Sequence, residues 1–287
     1  MQLQEEQRKE VKRMACIDEY KKRMKKRAEQ AMREDTSKPT VKPEASEVVP
    51  KMNYLFGVYS EYPADDMLQN NISLFEWVLR NKIHPSFWGR NITGARALTK
   101  EEIRFLHRKA CKIAAVYTDS EEMKTAEQGR IDGADIDAIA LDLGIPEGTA
   151  VYVEIRDGEE VTSEYLMSFA RTLLEEGYTP GFKVSTDAKF VFDREFSRGM
   201  QQDRDVFMKC LIWATSPVVP EYDGMTTSHL IHPDHWKPFA PSGTNRRAIG
   251  IWQYGRKCHP IEDDDELETT FDLNLVRNKE VIVERMF

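Results

Sequence analysis

The sequence contains no run of 18 apolar residues, so nothing in it is long enough to cross a bilayer as a helix. Its first residues are Gln, Glu, Lys and Arg without an apolar stretch, which is unlike a secretory signal peptide. Cysteine is scarce: Cys16, Cys111, Cys210 and Cys258 stand far apart and form no CxxC pair, which argues against a zinc ribbon or a disulfide framework. Walker loop, dinucleotide fingerprint and HExxH are all missing, leaving phosphoryl transfer, hydride transfer and zincin chemistry without support. His229, His232 and His235 recur every third residue near Asp234, but Pro233 breaks any helix that would align them, so a loop is expected there and no metal.

Positive charge is short overall and unevenly placed. The net charge is -8, yet residues 1–37 hold 11 Lys/Arg against 8 Asp/Glu, so the remaining body is acidic and poorly suited to a nucleic-acid backbone. Composition favours the cytoplasm. At 287 residues and 40% hydrophobic content the chain can bury a large core.

Residues 3–35 are rich in helix formers with a thin apolar seam, Val11, Met14, Ile17, Tyr20, Met24, Ala28 and Ala31. The expectation for 1–37 is a charged helical extension, solvated or available to a protein partner. A proline-punctuated linker follows over 38–50.

From residue 51 onward the pattern alternates. Strands are expected at Tyr54–Tyr59, Phe87–Gly89, Ile113–Tyr117, Ala150–Glu154, Gly181–Ser185, Cys210–Ala214, Ala248–Tyr254 and Thr270–Leu275. Between them lie helical stripes: Leu74–Leu79, a segment opened by the capping box Thr99-Lys100-Glu101-Glu102, Ala134–Leu143 stopped by Gly144, and Leu166–Leu174 stopped by Gly177. Near-continuous apolar strands alternating with helices predict an α/β fold, a (β/α)8 TIM-type barrel over 51–287 that is irregular in its last third, where little chain is left for helices.

A parallel barrel presents its chemistry where its strands end. Those ends supply Tyr59 and Glu61, Trp88 and Arg90, Asp119, Glu154 and Arg156, Trp213 with Glu221, Gln253 and Tyr254, and Asp272 with Asn274. Aromatics mixed with carboxylates and amides suit a sugar, whose ring faces stack on aromatic planes while its hydroxyls seek hydrogen bonds. Trp88, Trp213, Trp252 and Tyr254 are the expected platform, although a Trp in a barrel strand can equally be core. Glu154 interrupts an apolar run at the end of strand four and is the expected general acid, unless Arg90 or Arg156 pairs with it. The second carboxylate could come from Glu61, Asp119, Glu221 or Asp272; Asp272, the catalytic candidate among them, would with Gln253 orient substrate or water. Tyr59, Arg90, Asp119, Arg156, Glu221 and Asn274 complete the expected binding set. Asn91-Ile92-Thr93 matches a glycosylation pattern that arises often by chance.

Gly250-Ile251-Trp252-Gln253-Tyr254 followed by Phe271-Asp272-Leu273-Asn274-Leu275, with Gly177-Tyr178-Thr179-Pro180-Gly181-Phe182 and Ile212-Trp213-Ala214, resembles glycoside hydrolase family 25 lysozymes. Trp88-Gly89-Arg90-Asn91, Leu98-Thr99-Lys100-Glu101-Glu102, Gly129 through Ala138 and Gly144 through Tyr152 are more similar to bacterial glycoside-hydrolase-like barrels grouped with a secreted mycobacterial protein. The resemblance implies a barrel that acts on or recognises a bacterial cell-wall glycan of peptidoglycan type, without metal or organic cofactor. It would place the chain outside the cell, reached by lysis or a non-standard export route. Two departures stand out. The lysozymes end strand four in Asp-x-Glu, whereas Val153-Glu154-Ile155-Arg156 has an arginine in place of one acid; strand one carries Gly-Ile-Asp there and Gly57-Val58-Tyr59 here. The alternative is a barrel that has lost its acids and serves binding or scaffolding.

Overall fold

In the computed structural model, residues 54–68, 71–81, 84–224, 233, 235–244, 248–259, 269–277 and 282–287 are described. They fall within one compact unit, Met52–Phe287. The extension over 1–37, the linker over 38–50, and His229, His232 and Asp234 lie outside them; His235 is described and exposed.

Eight strands close in sequence order into a barrel: β1 Leu55–Tyr59, β2 Phe87–Asn91, β3 Lys112–Tyr117, β4 Ala150–Ile155, β5 Thr179–Val184, β6 Leu211–Ala214, β7 Ile249–Cys258 and β8 Phe271–Val276. β1 through β7 pair in parallel. β8 runs antiparallel to both β7 and β1. This corrects the expectation of eight parallel strands: 259–270, which join β7 to β8, are only just as long as the shortest parallel crossover, whereas an antiparallel neighbour needs no more than a turn. The reversal moves chemistry as well. Asp272, near the start of β8, sits level with Tyr59 at the end of β1, while Asn274 lies one layer deeper opposite Gly57.

Helices α1 Leu74–Arg80, α2 Lys100–Arg108, α3 Ala126–Leu143, α4 Ser163–Glu175, α5 Val191–Gln202 and α6 Arg204–Phe207 follow the strands. Ser73, Thr99, Thr125 and Thr162 cap the first four by accepting a backbone N–H three residues on. The capping box expected at Thr99 is only half formed. Glu102 does not reach back to it; its Oε1 accepts instead from Arg90 Nε at 2.8 Å and Ala64 N at 2.7 Å.

Strand alternation divides the core in two. Outward residues such as Val58, Trp88, Ile113, Val151, Phe182, Trp252 and Leu273 pack beneath the helices. Inward residues Tyr59, Phe87, Ala114, Val116, Tyr152, Trp213, Ile251 and Val276 fill the barrel, and Ile282 and Met286 join them. Three aromatic rings meet edge-on around Trp213: Tyr59 at 5.8 Å, Phe87 at 6.0 Å and Tyr152 at 5.4 Å. Glycine at two inward positions makes this possible, since a Cβ on Gly89 would lie 2.6 Å from Trp213 and one on Gly181 would lie 2.4 Å from Tyr152. The end of the chain is tied to the barrel floor by Ile113 N to Phe287 O at 2.8 Å and Ala150 N to Arg285 O at 2.7 Å.

Candidate active site at the barrel mouth

Above the aromatic floor, the inward residues become polar. β4 and β5 place Glu154 and Lys183 side by side in register. The Lys183 ammonium donates to Glu154 Oε1, and the pair is well buried, with side chains 4% and 14% exposed. Lys183 Nζ also lies 3.8 Å from the centre of the Tyr59 ring, a desolvated cation–π contact worth ~2 kcal/mol. Tyr59 OH donates to Asn91 Oδ1 at 2.8 Å. On the other side, Trp213 Nε1 donates to Asn274 Oδ1 at 2.8 Å and Asn274 Nδ2 donates to the Asp272 carbonyl at 3.0 Å. Asp272 Oδ1 accepts the backbone N–H of Lys257 at 2.9 Å, from the irregular end of β7. Ser60 closes the rim by donating to Thr270 O at 2.7 Å, which ties β1 to the start of β8.

The two carboxyls in this mouth live in opposite electrostatic conditions. Burial alone would raise Glu154, but Lys183, by charge and hydrogen bond, and then Arg156 outweigh it and hold the carboxyl below its ordinary range. For Asp272 burial dominates. Lys183 and the Lys257 amide oppose it, Glu154 and Glu61 add to it, and the carboxyl is pushed up to about 6. Burial also works against the Lys183 ammonium, yet Tyr59, Glu154 and Asp272 prevail and raise it, so the lysine keeps its charge. Tyr59 is pushed up to about 12, by burial first, and stays neutral. Near neutrality the site therefore holds an ionised Glu154, a charged Lys183 and a proton-exchanging Asp272.

Of the residues singled out from sequence, Tyr59, Glu154, Gln253, Asp272 and Asn274 come together here. Arg156 stands exposed at the rim with Nε 3.6 Å from Glu154 Oε2. Asp119 and Glu221 are exposed, Asp119 in the loop after β3 and Glu221 on the 3-10 turn Pro220–Tyr222. Five expectations are corrected. Arg90 points outward and is fully buried, its guanidinium spent on Glu102, Ser60 O and Arg96 O. Trp88 is outward too, packed on Phe75 at 5.4 Å. Trp252 and Tyr254 flank the inward Gln253 and so face the helical layer, where Trp252 Nε1 donates to Pro217 O at 3.0 Å and Tyr254 meets Tyr222 edge-on at 5.2 Å. Trp213 does point inward, but it is floor, wholly buried under Tyr59 and Lys183. None of the four expected platform aromatics presents a free ring face.

Sequence reasoning missed Lys183 and Asn91. Lys183 had a signal, a lone cation inside an apolar strand with glutamate at the same level of the preceding strand; Asn91 was visible only within a glycosylation pattern and the Trp88-Gly89-Arg90-Asn91 motif, neither of which gives it a role in the site. Among the described residues no group of three or more His, Cys, Asp or Glu is placed to hold a metal. No helix among them is long and apolar enough to cross a membrane. A cleft of about 410 Å³ between α3 and α4 is lined by residues such as Arg130, Glu164 and Arg171 and lies outside the barrel.

A family model described as Rv2525c-like, glycoside hydrolase-like domain matches residues 85–264, more than half the chain. The protein belongs to that family. Its barrel is similar to the crystal structure of an uncharacterized B. stearothermophilus protein, with a TM-score of 0.66 and 23% identity over 81% of this chain and 100% of that one. This likeness shows that the two share a fold. More distant are a lysozyme from Streptomyces coelicolor, at TM-score 0.48, 9% identity, 80% of this chain and 96% of that one, and the modular autolysin LytC from Streptococcus pneumoniae, at 0.45, 8%, 77% and 46%. No curated protein matches this chain by sequence.

Proposed function

We propose that the mouth of this glycoside-hydrolase-like barrel binds a bacterial cell-wall glycan of peptidoglycan type and cleaves a glycosidic bond in it. The observation that carries this reading is the divergence of two carboxyls in one site, Asp272 raised to about 6 and Glu154 held low. Such a split is how one site supplies an acid and an ionised partner at the same pH. It reverses the roles expected from sequence. Asp272 delivers its proton to the departing glycosidic oxygen, water adds to the anomeric carbon as the carbon–oxygen bond breaks and gives up a proton to Glu154, the ionised carboxylate beside the developing positive charge, and that proton passes through solvent back to Asp272. Lys183 holds Glu154 in place and keeps it ionised. The wall polymer as substrate is supported by the sequence resemblance to lysozymes.

A second reading, glycan binding without cleavage, is favoured by the same lysine. An ammonium hydrogen-bonded to Glu154, with Arg156 behind it, neutralises the charge that would stabilise an oxocarbenium ion. Release of reducing ends from purified peptidoglycan across pH 4 to 8 separates the two. Hydrolysis that fades as pH rises past about 6, and that Asp272→Asn abolishes, supports the enzyme. Binding without release supports the binding barrel, and absence of both removes the glycan assignment.

A further inference from the structure

The four aromatics expected to carry a sugar are packed away, yet the rim of the mouth holds another. Phe239 is 40% exposed, and of the large apolar side chains exposed among the described residues, Met67, Ile131, Leu141, Met208 and Phe239, it alone is aromatic. A single exposed apolar side chain is ordinary in itself. The mounting sets Phe239 apart. Its backbone N–H donates to the Ser216 carbonyl at 3.0 Å, and its carbonyl accepts from Thr186 Oγ1 at 3.0 Å. Those partners follow β6 and β5, so the residue is pinned where two strands deliver their ends to the mouth. Ser216 Oγ in turn accepts from Ser185 Oγ at 3.1 Å, and Ser185 stands two residues past Lys183.

The segment around Phe239 alternates as a strand does: Trp236 and Pro238 are buried, Lys237 and Phe239 exposed. Trp236 anchors one side, stacked on Tyr54 at 5.8 Å and edge-on to Trp252 at 6.0 Å. On the other side Ser242 N donates to Asp193 Oδ1 at 2.6 Å, and the rings of Pro238 and Pro241 fix the backbone before and after Phe239. Turning the phenyl ring inward would require the indole of Trp236 to turn out. The ring is therefore held in water by an anchored segment, and a ligand that covers it has little ordering to offset.

We propose that Phe239 is the platform for an outer sugar of a bound glycan chain, stacking on one apolar ring face while units further along the chain reach Glu154 and Asp272. A phenyl plane suits the C–H face of a sugar ring and asks for no hydrogen bond in return. This inference rests on the glycan reading above. It adds a binding residue outside the carboxyl pair and a direction, the chain leaving the mouth over its β5–β6 edge.

The test uses the full chain as wild type, Phe239→Ala and Phe239→Trp, titrated calorimetrically with peptide-free peptidoglycan strands of two and of six sugars at pH 8, where the proposed hydrolysis has faded. Covering one aromatic face changes affinity by about tenfold, so Phe239→Ala should bind the six-sugar strand about tenfold more weakly than wild type. Its affinity for the two-sugar strand should be unchanged, and Phe239→Trp should bind the longer strand at least as well as wild type. Melting temperatures should match in all three, because the clamp is made by backbone atoms. The proposal is overturned if Phe239→Ala binds the six-sugar strand as wild type does, or weakens both strands alike. It is overturned as well if Phe239→Ala keeps that affinity but melts lower, which makes the ring structural, or sediments differently, which makes it a protein contact. Each of these leaves the glycan reading standing. Wild type that binds neither strand removes the glycan reading and the inference together.

Discussion

The floor and the mouth of the barrel are made by the same alternating strands, a few ångströms apart, and they obey different chemistry. In the floor, Phe87, Tyr152, Trp213, Ile251, Ile282 and Met286 are buried and apolar, and the Trp213 N–H is satisfied by Asn274. In the mouth, Lys183, Glu154 and Asp272 are charged or poised to be, and Gln253 Oε1 stands unpaired. Packing explains every residue of the floor. It explains almost none in the mouth, where burial is imposed on groups that resist it. Local departure from what stability favours is a mark of a functional site, and here it begins one residue pair above the aromatic layer.

That contrast predicts a graded set of outcomes. The largest effect belongs to the floor. Trp213→Ala should cost about 3 to 5 kcal/mol of stability in denaturant melts, and Trp252→Ala, from the outer layer, should cost a similar amount while leaving glycan affinity unchanged. Lost affinity in a Trp252→Ala protein of normal stability would place that indole back in the site. Next comes the ion pair. Glu154→Gln leaves the Lys183 ammonium buried without its counter-ion and should cost about 3 kcal/mol at pH 7. Because the folded-state affinity of Glu154 for its proton is depressed, the contribution of this pair is present above the unfolded pKa and is lost as pH falls through the lower folded one. A neutral-pH stability equal to wild type would mean the pair is solvated, not part of a desolvated mouth.

Asp272 should behave in the opposite sense. Its folded-state pKa is raised, so the protonated form is favoured on folding, and the stability it contributes is present below the unfolded value and lost as pH rises through about 6. Asp272→Asn keeps the acceptor for Lys257 N–H and removes the charge. It should be more stable than wild type at pH 8 by about 1 to 3 kcal/mol, with the gap closing toward pH 4. The smallest effect is expected at Arg156. The guanidinium is exposed and 3.6 Å from Glu154, so Arg156→Ala should change stability by less than about 1 kcal/mol, and a larger loss would show that the mouth extends to the rim.

Much of this was readable in the chain. All eight strands lie where apolar runs occur, because a strand buried on both faces needs near-continuous hydrophobicity. The helix expected over Ala134–Leu143 in fact begins at Ala126, and the reason is Gly129 and Gly133: poor helix formers by themselves, they let α3 approach α4 so closely that a Cβ on Gly129 would lie 2.5 Å from Tyr165 O. The site was legible in part. Trp252-Gln253-Tyr254 shows an alternation, but not which member faces inward, since a one-residue change of parity exchanges core for mouth. Register settles it in favour of Gln253. Lys183 escaped notice because a cation inside an apolar strand acquires meaning only when the neighbouring strand brings Glu154 to its level, a long-range pairing no local pattern encodes. The direction of β8 likewise shows only in its pairing with β7 and β1, not in its own residues.

The most direct test of the account is an NMR titration of the side-chain carboxyl carbons in protein labelled at Asp and Glu. The account predicts that Asp272 titrates near 6 while Glu154 titrates below the ordinary glutamate range, and that Lys183→Met moves both upward. If Glu154 were the carboxyl with the raised pKa and Asp272 the depressed one, or if both titrated at ordinary values, the division of labour in the mouth would be contradicted.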